Sequence, residues 1–302
     1  MADPDHSTRR WMVRPVPPEP RSIVQLLRDR TLDAELAAHL WLLIGAGVPV
    51  VVAAGPQHAG KTTLLNAVLD FLPAERHVVE LAGEDETFEW LPQASELGWP
   101  GVPRPAADHV PIRPETTVLY APELSDHTPA YTWDTGARVF VRAASIGYQL
   151  AATIHADSLE EVFELLRWPP VRLTDDELSQ LGVVLILRRT AVGRRIVAAH
   201  YVRPIARDVH GHTQRLGPAV LATWDPGTDT FEHFGWGVTP ELAKRIGSRP
   251  GDYEAHVERR RDILRGLVRS GAVETEAVRS ALRSALEAGP AHPVFDAPEG
   301  RS

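Results

Sequence analysis

Four short apolar runs stand out in the first half of the chain: "PVVVAA" at 49–54, "HVVELA" at 77–82, "TTVLYA" at 116–121 and "LAATI" at 150–154. Their length and β-branched content read as buried strands. Between them lie segments with apolar residues at helical spacing. Ser22 caps one that runs to about Arg30. Thr31 caps a second, with Glu35 in its first turn and Leu36, Leu40, Leu43 and Ile44 as its apolar positions. "TTLLNAVLDFL" is a third, stopped by Pro73, and a fourth covers about 132–146. "SLEEVFELLRW" at 158–168 is a fifth, with Ser158 as cap and Glu161 at capping-box spacing. This alternation predicts an α/β fold with a largely parallel sheet.

The pattern then changes. "VVLILRR" and "RRIVAAHYVRP" flank a turn containing Gly193, and "AVLATWD" and "TFEHFG" flank "PGTD". Both read as hairpins appended antiparallel to the main sheet. From Thr239 the chain is helical again, through "TPELAKRIG", "DYEAHVERRRDILRGLVRSG" and "ETEAVRSALRSALEAG". The expected organisation is a proline-rich arm at 1–21, a nucleotide-binding domain at 22–238, a helical region at 239–288 and a disordered tail at 289–302. The stretch "LAAHLWLLIGAGVPVVVAAG" at 36–55 is about as long as a membrane span. Gly45, Gly47 and Pro49 divide it into helix, turn and strand.

Composition narrows the function. A net charge of −8 over 302 residues argues against a general nucleic-acid surface. With no cysteine, disulfide and thiolate chemistry are excluded. The first twenty residues hold charge and proline but no apolar core of a signal peptide, so a cytoplasmic protein is expected.

The candidate chemistry starts at "AAGPQHAGKTTLLNAV", residues 53–68. Gly55, Gly60, Lys61 and Thr62 satisfy G-x-x-x-x-G-K-[ST], after a strand and before a helix. The candidate phosphate-binding segment is Gly55, Pro56, Gln57, His58, Ala59, Gly60, Lys61, Thr62 and Thr63. Its glycines let backbone N–H groups turn inward, and the helix N-terminus favours an anion. Lys61 can reach the β- and γ-phosphates of ATP, and the Thr62 hydroxyl can ligate Mg²⁺. "VLYAPELSD" puts Glu123 and Asp126 after an apolar strand, where Glu123 can polarise a water and Asp126 can help with Mg²⁺. "AATIHADS" puts His155 at another strand end, where a neutral imidazole can sense a γ-phosphate.

The order of these segments resembles the secretion ATPase family of type II and type IV systems, the motors of pilus assembly and of protein or DNA export. The resemblance runs from about Ser22 to Leu166 and rests on the doubled threonine of the loop, "GEDETFEW", "PELSD" and "SIGYQLAATIHADS". The C-terminal "RRRDILRGLVRSGAV" is also similar to the tail of archaeal-type and tight-adherence members. It implies a RecA-like P-loop NTPase core. Gly55, Gly60, Lys61, Thr62 and Thr63 match Walker A, Glu84 and Asp85 the acidic Asp box, Glu123 the Walker B glutamate, and Thr153 and His155 the His box. Glu84 and Asp85 thereby join Thr62 and Asp126 as Mg²⁺ candidates, and Lys61, Glu123 and His155 become the catalytic set. The resemblance further implies a hexameric ring, docking on membrane-embedded secretion or pilus machinery, and a place at the inner face of the membrane. The chain departs from the family pattern at Pro122, where glycine is usual, at Ser125, which replaces an arginine, and at Tyr148, which replaces a histidine. Family members also carry a long N-terminal domain that helps close the ring, where this sequence begins with its proline-rich arm. Two readings therefore stand: an ATP-hydrolysing motor, and a nucleotide-binding regulator or scaffold that turns over poorly.

Other constellations are weaker. Arg113, Arg138, Arg142 and Arg195 are candidates for an arginine that reaches the phosphates, each also readable as a solvated surface charge. His200, His210 and His212 lack the cysteines or clustered carboxylates of a metal site. The run Arg259-Arg260-Arg261 reads as a solvated helix face, offset by Glu254 and Glu258.

Overall fold

The computed structural model describes residues 20–55, 59–101, 112–207 and 212–287. The expected arm up to residue 19, Pro56, Gln57, His58, His210 and the tail at 289–302 lie outside the described residues. Strands are β1 (Val50–Ala53), β2 (His77–Glu80), β3 (Thr117–Leu124), β4 (Gln149–Ile154), β5 (Val183–Thr190), β6 (Gly193–Tyr201), β7 (Ala206–Arg207), β8 (Thr213–Gln214), β9 (Ala219–Asp225) and β10 (Thr230–His233). Helices are α1 (Ile23–Arg28), α2 (Ala34–Gly45), α3 (Lys61–Leu69), α4 (Asp134–Arg142), α5 (Leu159–Arg167), α6 (Asp175–Leu178), α7 (Thr239–Arg245), α8 (Pro250–Ser270) and α9 (Thr275–Glu287).

Eight strands form one mixed sheet in the order β10-β9-β6-β5-β1-β4-β3-β2. From β5 to β2 the neighbours run parallel, whereas β6, β9 and β10 extend the same sheet antiparallel. Pattern and fold therefore agree on an α/β sheet with appended hairpins. The alternation of side chains along β1 feeds two cores. Val50 and Val52 pack with α2, α3 and α8, while Val51 and Ala53 pack with α4 and α5 on the opposite face.

The start of α2 differs from expectation. Its cap is Asp33, whose Oδ1 accepts the Leu36 N–H at 2.9 Å. Thr31 is buried and holds the preceding turn instead: its N–H donates to the Leu26 carbonyl, and its own carbonyl accepts the Ile196 N–H. The short α6 was not legible from apolar periodicity, although Thr174 and Glu177 form a capping box there.

The C-terminal helices close one face of the sheet. Along α8, Tyr253 OH meets His39 Nδ1 at 2.8 Å, and the Arg260 guanidinium lies 5.4 Å from the Trp41 ring centroid. Trp41 in turn stacks on Phe71 with centroids 5.4 Å apart. Arg261 reaches Glu35 at 3.7 Å. The arginine run is thus not a wholly solvated face: Arg259 is exposed, but its two neighbours lie against α2, where the long arginine stems cover apolar surface. No helix among the described residues is long and apolar enough to cross a membrane.

Candidate functional site

β1, β3 and β4 run parallel, so their C-terminal ends share one edge, the usual place for ligands on an open α/β sheet. Ala59 and Gly60 lead from the β1 end of the molecule into α3. Gly60 is the N-cap with φ +101°, a left-handed conformation that suits glycine, and no side chain caps the first N–H groups of the helix. Lys61 opens the helix and is 7% exposed. Thr62 and Thr63 follow, half-buried.

Glu123 lies on β3, which is not the neighbour of β1; β4 sits between them. The lysine nevertheless reaches it: Lys61 Nζ is 3.3 Å from Glu123 Oε2, with the glutamate side chain 14% exposed. Glu123 is aimed by a bulge. The β3–β4 register passes from Ala121 opposite Ala152 to Leu124 opposite Ile154, so Pro122 and Glu123 together face Thr153. A bulge re-aims a side chain and tolerates proline, which has no ladder N–H to give. Thr153 Oγ1 donates to the Pro122 carbonyl at 2.6 Å, and the Thr132 N–H donates to the Glu123 carbonyl at 3.0 Å. Pro122, a departure from the resembled pattern, is thereby accommodated.

His155 follows the end of β4, between the two strands. Its Nδ1 is buried and has no hydrogen-bond partner. A buried polar atom left unpaired calls for a ligand or other explanation. His127, which sequence reasoning missed, packs edge-to-face on His155 with centroids 5.6 Å apart and places Nδ1 3.9 Å from Glu123 Oε1. Its position four residues after Glu123 is the signal that could have found it.

Asp157 was also missed. Its Oδ1 accepts the Gly55 N–H at 3.1 Å, tying the turn after β4 to the first glycine of the loop. A Cβ on Gly55 would overlap that carboxylate. Asp157 is fixed in turn: its N–H donates to Glu161 Oε2 at 2.6 Å, and Arg188 donates to its carbonyl at 3.0 Å. Glu161 N–H binds Ser158 Oγ as expected, but its carboxylate reaches back to Asp157, one residue before the cap.

The acidic segment behaves differently from its members' charges. Glu84 and Asp85 sit exposed in a single 3-10 turn, whose Glu84 N–H donates to the Pro129 carbonyl at 2.8 Å. The buried acid is Glu86, which accepts from the Ala82 and Phe88 N–H groups and from Trp90 Nε1. Asp126 is exposed. Among the described residues no three or more His, Asp or Glu gather to hold a metal. Mg²⁺ in such sites relies mainly on one or two protein oxygens plus substrate phosphates. The Thr62 hydroxyl, the α3 N-terminus, Lys61 and the unpaired His155 nitrogen suit an anionic nucleotide with its cation.

Three of the four arginine candidates are engaged elsewhere, and Arg113 is exposed. Arg195 is buried and pairs bidentately with Asp229 at 2.8 and 3.0 Å, holding that carboxyl well below the usual carboxylate range. It is therefore not a solvated charge. Arg138 donates to the Pro170 and Val171 carbonyls, and Arg142 to Glu177 and the Leu97 carbonyl. The arginine that meets the loop is Arg194, whose Nε donates to the Ala59 carbonyl at 2.8 Å.

No family model matches the chain. Two curated relatives come from Methanocaldococcus jannaschii. The uncharacterized protein MJ0900 is 23% identical over 291 residues, covering 89% of this chain and 50% of its own length. The uncharacterized protein MJ1287 is 25% identical over 257 residues, covering 81% of this chain and 91% of its own. The chain thus spans only half of the first relative. Among solved structures, the VirB11 ATPase of the Brucella suis type IV secretion system, in complex with sulphate, has a TM-score of 0.37 at 21% identity, covering 59% of this chain and 56% of that one. The Legionella pneumophila ATPase DotB has a TM-score of 0.35 at 13% identity, covering 88% and 62%. TM-scores below 0.5 leave the case for function to the site's own residues.

Proposed function

We propose that the chain binds ATP at the 55–63 loop and hydrolyses it. The observation that carries this reading is the meeting of Lys61 and Glu123 at 3.3 Å on the ligand-binding edge of the sheet, beside the unpaired His155 nitrogen. Lys61 binds and neutralises phosphate. Glu123 orients the attacking water through its carboxylate, held in place by the bulge and by Thr153. His155 contacts the terminal phosphate. Thr62 would hold Mg²⁺, with Asp126, Glu84 and Asp85 as candidate outer contacts, and the ion would supply further charge neutralisation. Such catalysis is positioning and electrostatics rather than covalent chemistry.

The same contact favours a second reading. While Lys61 pairs with Glu123, the carboxylate is engaged, so turnover waits on a nucleotide that draws the lysine away. A slow, nucleotide-binding regulator fits that arrangement. In either reading the chain self-associates, as a ring in the resembled family, and serves membrane-embedded secretion or pilus machinery from the cytoplasmic face. The test is phosphate release with ATP and Mg²⁺ alongside size measurement with and without nucleotide. Turnover coupled to a size change supports the motor; binding without turnover supports the regulator; no binding removes both.

A further inference from the structure

Glu123 has two carboxylate oxygens, and the fold gives each a different neighbour. Oε2 faces Lys61 Nζ at 3.3 Å, and Oε1 faces His127 Nδ1 at 3.9 Å. The lysine side chain is 7% exposed and that of His127 is 49% exposed. One neighbour is enclosed, and the other has room to move.

The loop after β3 brings His127 back to the strand end. Leu124 forms a parallel bridge with Thr132, and the Tyr131 N–H donates to the Thr128 carbonyl at 3.0 Å. Between them the His127 N–H donates to Oγ of the buried Ser125 at 3.5 Å, a local turn of the kind serine hydroxyls close. The His127 ring then packs edge-to-face on His155, with centroids 5.6 Å apart.

ATP acts differently on the two contacts of Glu123. Phosphate draws Lys61 from Oε2 and leaves that oxygen free to accept from the attacking water. A carboxylate only 14% exposed that loses its lysine needs another hydrogen bond to stay charged and aimed. His127 is placed to give one. With the proton on Nδ1, a movement of about 1 Å takes it into hydrogen-bonding range of Oε1.

We propose that His127 is a positioning residue for hydrolysis: it takes hold of Glu123 Oε1 when the nucleotide takes Lys61, and so keeps Oε2 aimed at the water. This rests on the ATP-hydrolysis reading and deepens it. The role needs a hydrogen-bond donor at the place of Nδ1; it needs neither the ring nor a charge. It passes through Glu123 and not through the nucleotide.

Two substitutions separate the donor from the ring. His127→Phe keeps a ring against His155 and removes the donor. His127→Asn removes the ring and puts an amide N–H at the place of Nδ1. The test is steady-state phosphate release by the full chain with ATP and Mg²⁺. His127→Phe should lower kcat about tenfold to a hundredfold with little change in KM, the pattern of a contact that matters in the transition state. His127→Asn should keep kcat within about threefold of wild type. Added to Glu123→Gln, His127→Phe should cost nothing more, because the base it aims is already gone. Wild-type kcat in His127→Phe, or a loss in His127→Asn as large as or larger than that in His127→Phe, overturns the donor role. A full additional loss in the Glu123→Gln background overturns the route through Glu123. Each of these results leaves ATP hydrolysis by the chain intact. Absence of turnover in wild type overturns both the role of His127 and the reading beneath it.

Discussion

Lys61 and Glu123 pair at 3.3 Å although β4 lies between the strands that lead to them. The pair is mostly buried, so each charge depends on the other for compensation. Glu123→Gln removes the acid charge and releases the lysine for phosphate. ATP should bind as tightly as to wild type or more so, while phosphate release falls at least about a hundredfold, as expected when a positioned base is lost. Wild-type turnover in this variant, measured under saturating ATP and Mg²⁺, would show that the working acid lies elsewhere.

Much of this arrangement was legible in the sequence. The alternation of β-branched runs and helical spacing located the parallel strands, and "PGTD" marked the β9–β10 turn. The glycine loop, Glu123 and His155 were each visible at the end of an apolar run. What could not be seen was adjacency. Strand order depends on crossover connections, so nothing local in the sequence told that β4 separates β1 from β3. The bulge at Pro122–Glu123 is a mismatch between two strands and is invisible in either one. Asp157 and Arg194 were missed for the same reason, since their partners Gly55 and Ala59 lie more than a hundred residues away in the chain. Thr31 was a reasonable cap by residue type, but the long-range bond from Ile196 to its carbonyl overrode that preference.

Gly55 and Asp157 should be energetically coupled. Gly55→Ala places a methyl group where the Asp157 carboxylate sits, and so displaces the turn after β4 or the loop itself. ATP affinity should fall about tenfold, equivalent to the loss of one charge-assisted hydrogen bond. Asp157→Ala removes the obstacle, so the double variant should bind better than the two separate losses predict. Strict additivity in this double-mutant cycle would mean that the contact has no effect on binding.

His155 should transmit nucleotide state rather than carry the chemistry. Its Nδ1 is buried and unpaired, and a terminal phosphate offers it a partner that ADP lacks. Only such a differential contact can shift a conformational equilibrium. His155→Ala should keep ATP affinity within about tenfold of wild type, yet lose the difference in protease sensitivity between the ATP and ADP states. A variant that retains the full wild-type difference would reduce His155 to a strand-end structural residue.

Acid should destabilise the fold through His39. Burial, followed by repulsion from His233, lowers its pKa to about 4, with Asp33 opposing. The unfolded chain takes up a proton near pH 6.5, whereas the folded chain resists until about pH 4. Stability from this group is therefore full above pH 6.5 and falls by about 3 kcal/mol as the pH drops to 4. Urea midpoints at pH 7 and pH 5 should differ less in His39→Gln than in wild type. An identical acid shift in both proteins would assign the loss to other groups.

The most direct test of the central claim is calorimetric titration of the full chain with ATP and Mg²⁺, comparing wild type with Lys61→Ala. Lys61 is placed toward Glu123 and the ligand edge, not into the apolar core, so the variant should fold and melt cooperatively. The account predicts a single ATP site in wild type and at least a tenfold loss of affinity in Lys61→Ala, from one lost charge-assisted contact of about 1.5–3 kcal/mol. Equal ATP affinity in the two proteins would contradict it, because the loop would then bind no phosphate.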